Sequence, residues 1–361
     1  MRRNSIGQPS ILKKHKKWRS KGSKMKINKQ KAKAWMHSFT HKPYFLALII
    51  LIFFFILLGF IERRYYSLYN LTTKIRLWMP LLLVTLGQTF VILGGGLDMS
   101  VSTLLALVNV IVVQVMMSLG GGPWHQIIAI IAGLTTGLFA GFLNGLLVAH
   151  LRLPPLISTY GTQIVWGGLA LRIMHQSGGE VPFTWYNVYS ATIIGIPFSL
   201  IILVLLMLGI HFLKRTGYLV KLKACGGNIH GAYESVLPVN ALRVKSYMLS
   251  GLFTALAALC IVAETVTGNP LSGSGYELES ISAVALGGTS LAGGAGGFIG
   301  SILGAIVLKL INDVIFFAGL GVNYQVLAQG LIIILALAVG GQLTKQSQKR
   351  GVTMLRGGGE Q

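Results

Sequence analysis

The stretch KRTGYLVKLKACGGNIHGAYESVLPVNALRVK, residues 214–245, is the one long polar interruption in an otherwise nearly continuous run of apolar segments. It divides the apolar part of the chain into two halves. It contains six basic residues and a single acid, Glu234. The positive-inside rule therefore predicts that this stretch lies in the cytoplasm.

A short helix is predicted inside this polar stretch. Gly226 and Gly227 break an incoming helix, and Asn228 is a suitable N-cap for a new one. Pro238 disfavours the helical conformation at Leu237, so the new helix can hold only about two turns, roughly 12 Å. The residues leave two readings open: a basic loop with an incidental helical turn, or a docking surface for another chain.

The composition places the chain far from soluble proteins. Of its 361 residues, 53% are hydrophobic and only 11% are charged, and the mean hydropathy is +0.68. Soluble domains carry about 25% charged residues. We therefore expect an all-α integral membrane protein with many spans.

The basic residues are clustered, and the clusters indicate which segments face the cytoplasm. Lys and Arg total 31 against 9 acids, a net charge of +22, and fourteen of the bases precede residue 44. We expect residues 1–43 to form a disordered cytoplasmic tail that is attracted to anionic lipid headgroups rather than to nucleic acid. The transmembrane domain is predicted over residues 44–341, followed by a cytoplasmic tail over residues 342–361.

Ten segments approach the length of about 20 apolar residues that a membrane span requires. With the N-terminus inside, residues 149–154, 214–245 and the C-terminal tail also fall inside, as their bases require. The exception is the basic connection 62–76 on the outside. We interpret it as an amphipathic interfacial segment, although a miscount of spans would also explain it. The predicted spans are 44–61, 79–97, 99–118, 125–148, 155–175, 191–213, 246–266, 278–291, 297–317 and 324–341.

Each half of the chain contains a similar glycine-rich break between two spans. Leu93-Gly94-Gly95 and Leu286-Gly287-Gly288 each lead into a new span, and the eighth span is short enough to end below the membrane surface. Spans two to five and seven to ten would run in opposite senses across the bilayer. This is the pattern of a weak inverted repeat, which in transporters places a pathway between the repeats.

Polar side chains inside the apolar segments are candidates for function because they are costly to bury in a membrane. Asp98 either caps the third span or contacts the cargo directly. Together these side chains could line a route for a hydroxylated solute; hydrogen bonding between helices is the alternative for each one. No partner can be assigned to Glu264 or Lys309. The candidates for the route are Gln88, Thr89, Asp98, Asn144, Thr159, Gln163, Asn312 and Asp313.

Several catalytic and cofactor-binding motifs are missing from the sequence. It contains no G-x-x-x-x-G-K-[ST], no H-E-x-x-H, no Cys/His cluster and no G-x-S-x-G. Cys225 and Cys260 lie in a polar loop and an apolar span, so a disulfide is not expected. We therefore predict a transport subunit without enzymatic activity, metal or cofactor of its own, driven by another chain.

A family resemblance rests on four motifs. The segment GYELESISAVALGGTSLAGGAGG (275–297) closely resembles the permease subunits of bacterial ABC importers of the ribose, galactose, arabinose, xylose and autoinducer-2 type. Supporting matches are GQTFVILGGGLDMSVS (87–102), NGLLVAHLRLPPLISTYGT (144–162) and the run from Gly226 to Ser235. Together they cover roughly residues 80–341, and the N-terminal tail lies outside the resemblance.

The resemblance implies a complete transport complex. The chain would pair as a homodimer or with a second permease, receive a monosaccharide or similar solute from an extracytoplasmic binding protein, and be driven inward by separate ATPase subunits that bind ATP. The short helix from Asn228 to Ser235 would then be the coupling helix. One departure falls beside it: the family commonly has Ser-Gly-Ile where this chain has Ser235-Val236-Leu237. The residues implied in ATPase coupling are Gly227, Asn228, Ala232, Tyr233, Glu234 and Ser235.

Two alternatives remain at this stage. Within the same class, the solute could be a nucleoside or a branched-chain amino acid. From another class, a secondary transporter or channel would need buried ionisable residues for ion coupling or a selectivity filter. Asp98, Glu264, Lys309 and Asp313 are the candidates for that role.

Overall fold

The computed structural model describes residues 44–319 continuously, together with residues 321, 324, 327, 330, 331 and 334. Within these residues the chain forms twelve named helices and one two-stranded hairpin. The helices are α1 (Phe45–Ile61), α2 (Leu68–Leu93), α3 (Val101–Leu119), α4 (Pro123–Ala149), α5 (Pro155–Ile173), α6 (Thr184–Ser190), α7 (Phe198–Arg215), α8 (Tyr218–Gly227), α9 (Ile229–Glu234), α10 (Val239–Thr265), α11 (Tyr276–Leu286) and α12 (Phe298–Phe317), with strands β1 (Thr192–Ile193) and β2 (Ile196–Pro197) before α7.

Six of these helices are long and apolar enough to cross a membrane: α2, α3, α4, α7, α10 and α12. Helix α1 is a shorter apolar helix of 17 residues, and α5 and α11 are not among the six. Each of the first nine predicted spans overlaps a helix, but two bounds differ clearly: the sixth, 191–213, begins with the hairpin and is helical only from Phe198, and the helix in the eighth, 278–291, ends at Leu286. The tenth, 324–341, lies largely outside the described residues.

The basic connection predicted outside the membrane is largely helical. Ser67 caps α2 by accepting a hydrogen bond from the N–H of Asn70 at 3.3 Å, so Lys74 and Arg76 belong to the first turns of α2. This differs from the separate interfacial segment expected for residues 62–76. The reason is that acids on other helices pair with both bases, so the helix can continue through them.

Helix α10 is the centre of the packing, and it contacts α2, α3 and α4. Its closest neighbour is α4, and glycines make that approach possible. A Cβ on Gly137 would lie 2.4 Å from the carbonyl oxygen of Gly251, and a Cβ on Gly251 would lie 2.0 Å from the carbonyl oxygen of Gly137. The two backbones therefore touch directly, as expected for glycine-rich membrane helices.

Two helices end inside the bundle at glycine links. Helix α2 ends at Leu93 and is followed by the link 94–100; helix α11 ends at Leu286 and is followed by the link 287–297. With 11 residues, α11 is roughly 16 Å long, about half of a bilayer core. The short, broken eighth helix predicted from the sequence is thus present, and protein surrounds its end.

Candidate functional site

A group of buried polar side chains lies where the link 94–100 meets α3, α4 and α10. Its centre is Asp98, which is fully buried. One carboxylate oxygen, Oδ1, accepts from the N–H of Ser100 at 3.1 Å, from the Ser100 hydroxyl at 2.7 Å and from Asn144 Nδ2 at 3.4 Å. The other, Oδ2, accepts from the hydroxyl of Ser250 at 2.9 Å. We call Asp98, Ser100, Asn144, Thr162 and Ser250 the Asp98 cluster.

Local sequence explains how the cluster forms. The glycines after α2 let the chain turn back inside the bundle, and Gly95 adopts a φ of 77°. Asp98 then accepts from the backbone N–H of Ser100, the residue directly before α3. Ser100 itself is the N-cap of α3, and among the described residues no side chain makes a capping hydrogen bond there. The hydroxyl of Tyr247 donates to the carbonyl of Leu97 at 3.1 Å and holds the link against α10.

Two further candidates join the cluster, Gln88 from α2 and Thr159 from α5. Thr159 accepts from the N–H of Met99 at 3.1 Å, and the hydroxyl of Thr162 donates to Asn144 Oδ1 at 2.7 Å. In the amide orientation that satisfies both partners, Gln88 donates to the carbonyl of Asp98 at 3.3 Å and accepts from its N–H at 3.2 Å. The structure therefore brings Gln88, Asp98, Asn144 and Thr159 together.

The other candidate pathway residues are placed differently. Gln163 is half-buried on α5 and reaches the hydroxyl of Ser102 at 3.5 Å, next to the cluster. Thr89 is buried on α2, and its hydroxyl donates to the carbonyl of Thr85 at 2.7 Å within the same helix. Asn312 lies on α12 beside Asp313, whose partner Lys74 is roughly 20 Å along α2 from Gln88.

The donors to Asp98 are all uncharged, which decides what the cluster can do chemically. Hydroxyl and amide groups can donate and accept, so they can exchange partners with the hydroxyls of a solute. Gln88, Asp98, Asn144 and Thr159 are all 0% exposed in this structure. A solute would reach them only after the surrounding helices move.

A second set of polar residues consists of three ion pairs, which we call the ion-pair group. Lys74 pairs with Asp313 at 2.6 Å, Arg76 with Glu264 at 2.8 Å, and Lys309 with Glu279 at 3.1 Å. The hydroxyl of Tyr65 also donates to Asp313 at 2.8 Å, and burial, reinforced by that carboxylate, raises the pKa of Tyr65. The sequence left Glu264 and Lys309 without partners; the structure gives each one an opposite charge.

The predicted short helix is present as α9, at the polar stretch between α8 and α10. Asn228 caps it by accepting from the N–H of Gly231 at 3.0 Å, as predicted. Five of the six candidate coupling residues are exposed. The exception is Ala232, which is 4% exposed and packs into the core of the protein, so it anchors α9 instead of facing a partner. The exposed candidates are Gly227, Asn228, Tyr233, Glu234 and Ser235.

Val236 follows α9 in an unfavourable backbone conformation. It has a φ of 57° and is 88% exposed. A β-branched residue in this left-handed region is an outlier, whereas glycine adopts it freely. This is the position at which the resembled importer permeases commonly have glycine.

Sequence reasoning missed Ser250 and Thr162, two members of the Asp98 cluster. Ser250 lies on α10 with Ser246 and Thr254 one turn to either side, and it is 152 residues from Asp98 along the chain. A single serine in a membrane helix is also common where helices merely pack closely. Thr162 directly precedes the candidate Gln163 on α5, and this position next to a candidate was the signal that could have identified it.

A separate cavity of about 400 Å³ lies between α2, α4, α6, α7 and α10. Its walls are mostly apolar, and the hydrogen bond from Trp185 Nε1 to Gln126 Oε1, 2.9 Å long, lies at its edge. Apolar walls offer no hydrogen bonds to a hydroxylated solute. This cavity therefore does not extend the Asp98 cluster.

Comparison with known proteins places the chain in a transport family. The family model described as "Branched-chain amino acid transport system / permease component" matches residues 70–337. The chain belongs to this permease family. The match begins in α2, covers both glycine links, α8 and α9, and extends past α12.

Several curated relatives are import permeases. The ribose import permease protein RbsC of Bacillus subtilis (strain 168) is 33% identical over 261 residues, covering 71% of this chain and 79% of that protein. RbsC of Escherichia coli (strain K12) is 29% identical over 315 residues, covering 85% and 94%. The autoinducer 2 import system permease protein LsrC of Escherichia coli (strain K12 / DH10B) is 30% identical over 302 residues, covering 82% and 86%. No solved structure matches significantly.

The relatives confirm the resemblance drawn from the glycine-rich motifs. The chain is a membrane-spanning permease of the ABC importer type, a transport component and not an enzyme. Its six long apolar helices agree with a multi-pass membrane protein.

Proposed function

We propose that the chain carries a monosaccharide or a similarly small, hydroxylated solute inward across the bacterial inner membrane. The observation that carries this proposal is the Asp98 cluster, in which uncharged hydroxyl and amide groups surround one carboxylate at a break between two helices. Such groups match the alternating donors and acceptors of a sugar. The named cargoes of the relatives, ribose and autoinducer 2, support the same class of solute.

The proposal includes the partners of the chain. Two permease chains, identical or different, would form the pathway, an extracytoplasmic binding protein would deliver the solute, and ATPase subunits would bind ATP in the cytoplasm. In this arrangement both termini lie in the cytoplasm and ten spans cross the membrane, with spans two to five and seven to ten forming an inverted repeat. The pairing of the glycine links after α2 and after α11 supports the repeat.

Helix α9 is proposed as the coupling helix. It stands at the end of α8 with its cap and its outer residues exposed, and it packs on α8 and α10 through Ala232. Closing of an ATPase dimer would displace α9, and rigid-body movement of the attached helices would open the pathway alternately to each side. ATP supplies the bias through its different affinity for the two states.

The proposal can be tested in proteoliposomes that contain the chain, its ATPase and its binding protein. We expect ATP-dependent uptake of a labelled pentose or hexose. Replacing Gly227 and Asn228 together by alanine should abolish uptake while the chain still inserts and ATP hydrolysis continues, because the cap of α9 is lost. Wild-type uptake by this double variant would refute the coupling role.

A branched-chain amino acid is the second candidate cargo, because the family description names that transport system. Competition between labelled sugar and unlabelled leucine distinguishes the two candidate cargoes. Excess unlabelled leucine should leave sugar uptake unchanged, whereas leucine uptake without sugar uptake would replace the proposal. A nucleoside, which also carries ribose hydroxyls, is tested in the same assay.

The alternative of a secondary transporter loses support from the ion-pair group. Three of the four ionisable candidates, Glu264, Lys309 and Asp313, are already neutralised by opposite charges. An ion-coupled pathway needs charges that can bind and release an ion. Uptake that persists in the absence of any ATPase would restore this alternative.

A further inference from the structure

Three backbone segments meet beside α9, and glycine is needed where they touch. Gly226, near the end of α8, lies between the links 94–100 and 287–297. A Cβ at Gly226 would stand 2.1 Å from the carbonyl oxygen of Leu93, 2.8 Å from the amide nitrogen of Gly294 and 2.9 Å from that of Gly95. No side chain fits at those distances, so the three segments are in direct backbone contact.

Two hydrogen bonds fasten the same junction. The N–H of Gly294 donates to the carbonyl of Leu93 at 3.2 Å and joins the second link to the end of α2, where the first link begins. Lys223 Nζ donates to the carbonyl of Gly296 at 2.7 Å and ties α8 to the second link. Lys223 is half-buried, and burial, followed by the charge of Lys214, lowers the pKa of Lys223. A short hydrogen bond from an ammonium group to a carbonyl is among the stronger tethers in proteins.

The junction lies on the short path between α9 and the Asp98 cluster. Asn228, the cap of α9, comes two residues after Gly226, and Asp98 comes three residues after Gly95. A displacement of α9 therefore reaches both links through α8. The link that contains Gly95 leads straight into the carboxylate at the centre of the cluster.

We propose that Gly226 and Lys223 are positioning residues for transport, which clamp the links 94–100 and 287–297 to α8 so that both move with α9. The proposal rests on the coupling role given to α9 above. Close-packed backbone transmits a displacement because it has no free volume to absorb it. The clamp thus passes the movement to the Asp98 cluster and to the start of α12 at the same time.

Hydrogen–deuterium exchange tests the clamp on the purified full-length chain in lipid nanodiscs, without any partner. Lys223→Met removes the hydrogen bond to Gly296. Amide exchange in residues 93–96 and 293–297 should accelerate about tenfold, which corresponds to the free energy of one hydrogen bond from a charged group. Lys221→Met is the matched control, because Lys221 is exposed on the same helix. Lys223→Arg should largely restore protection. Faster exchange in one link alone, or in neither, would overturn the clamp.

Transport supplies the second measurement. In the proteoliposome complex, Lys223→Met should retain ATP hydrolysis but lose about tenfold in solute moved per ATP, again the weight of the charge-assisted hydrogen bond. Gly226→Ala should show the same split more severely, whereas Gly209→Ala on α7 adds a methyl group with nothing within 4 Å and should behave as wild type.

The two proposals fail in different ways. If the wild-type complex transports and both clamp variants move as much solute per ATP, the clamp is refuted and the importer function stands. If the wild-type complex moves no solute, the proposed function fails, and the exchange experiment still decides whether the links are clamped together.

Discussion

The Asp98 cluster holds its carboxylate with uncharged donors, whereas every acid of the ion-pair group lies within 3.1 Å of a base. Both sets lie among membrane helices, where an unpaired charge is costly. An ion pair cancels its charge locally and joins α2 to α10 and α12, and α11 to α12. A carboxylate held by hydroxyl and amide groups retains partners that a solute could replace. The contrast indicates a structural role for the pairs and a functional role for the cluster.

The largest effect is expected from Asp98→Leu. The apolar side chain would leave three donors without their acceptor: the N–H of Ser100, the hydroxyl of Ser100 and the hydroxyl of Ser250. Nδ2 of Asn144 still donates to Oγ of Ser100 at 2.7 Å. The free energy of unfolding should fall by about 3 kcal/mol or more, at roughly 1 kcal/mol or more for each unpaired group. Denaturation by SDS in mixed micelles would measure the loss.

Asp98→Asn is the matched control for this prediction. Its carbonyl oxygen can still accept at the Oδ1 position, and its amide can donate to the hydroxyl of Ser250, which rotates to accept. We expect less than half of the loss seen with leucine. Equal losses would mean that the cluster depends on the negative charge, as the ion pairs do.

Neutralising an acid of the ion-pair group should lower the free energy of unfolding more than neutralising Asp98 does. Asp313→Asn leaves Lys74 positive with its side chain only 19% exposed, so the free energy of unfolding should fall by about 2 kcal/mol, less than for a fully buried pair. The double variant Lys74→Met, Asp313→Asn should recover more than half of that loss. A double-mutant cycle measures the coupling, and additive losses would contradict a pairing role.

The smallest effect is expected from Ser250→Ala, which removes one hydrogen bond to Asp98. The expected loss is about 1 kcal/mol in the free energy of unfolding. Ser246→Ala, one turn earlier on α10, is the control because its hydroxyl donates to the carbonyl of Arg243 on the same helix and, within the described part of the chain, to no other helix. A larger loss at Ser246 would show that the hydroxyl of Ser250 contributes little to the cluster.

The sequence was informative wherever a signal is local. Apolar length located nine helices, Gly226-Gly227 with Asn228 located α9, and the glycines around residues 94 and 287 located both breaks. The sequence also predicted a separate interfacial segment over residues 62–76, because four bases next to an apolar run are typical of a segment at the membrane surface. The acidic partners of two of these bases, Lys74 and Arg76, lie on α12 and α10, about 190 to 240 residues away, and a local pattern cannot show such pairing.

The site was predicted in part for the same reason. Asp98 was predicted, from the glycines before it and Ser100 after it, either to cap the third span or to contact the cargo; in the structure its carboxylate accepts from the N–H of Ser100, the N-cap of α3. Asn144, Thr159 and Gln88 were listed as polar residues in spans, but their convergence on Asp98 depends on how α2, α4 and α5 pack. In the sequence Asn312 resembled these three residues, since it is also a polar residue in a span. In the structure it lies next to Asp313, a member of the ion-pair group.

The contact between Gly137 and Gly251 has a consequence for how such a protein can change shape. Gly137 on α4 lies in the part of the chain before residues 214–245, and Gly251 on α10 lies in the part after them. Because their backbones touch, the two parts share one stiff frame and cannot slide past each other. Fragments separated by a cut at residue 216 should therefore reassemble when produced together, since the seam between α4 and α10 does not require an unbroken chain.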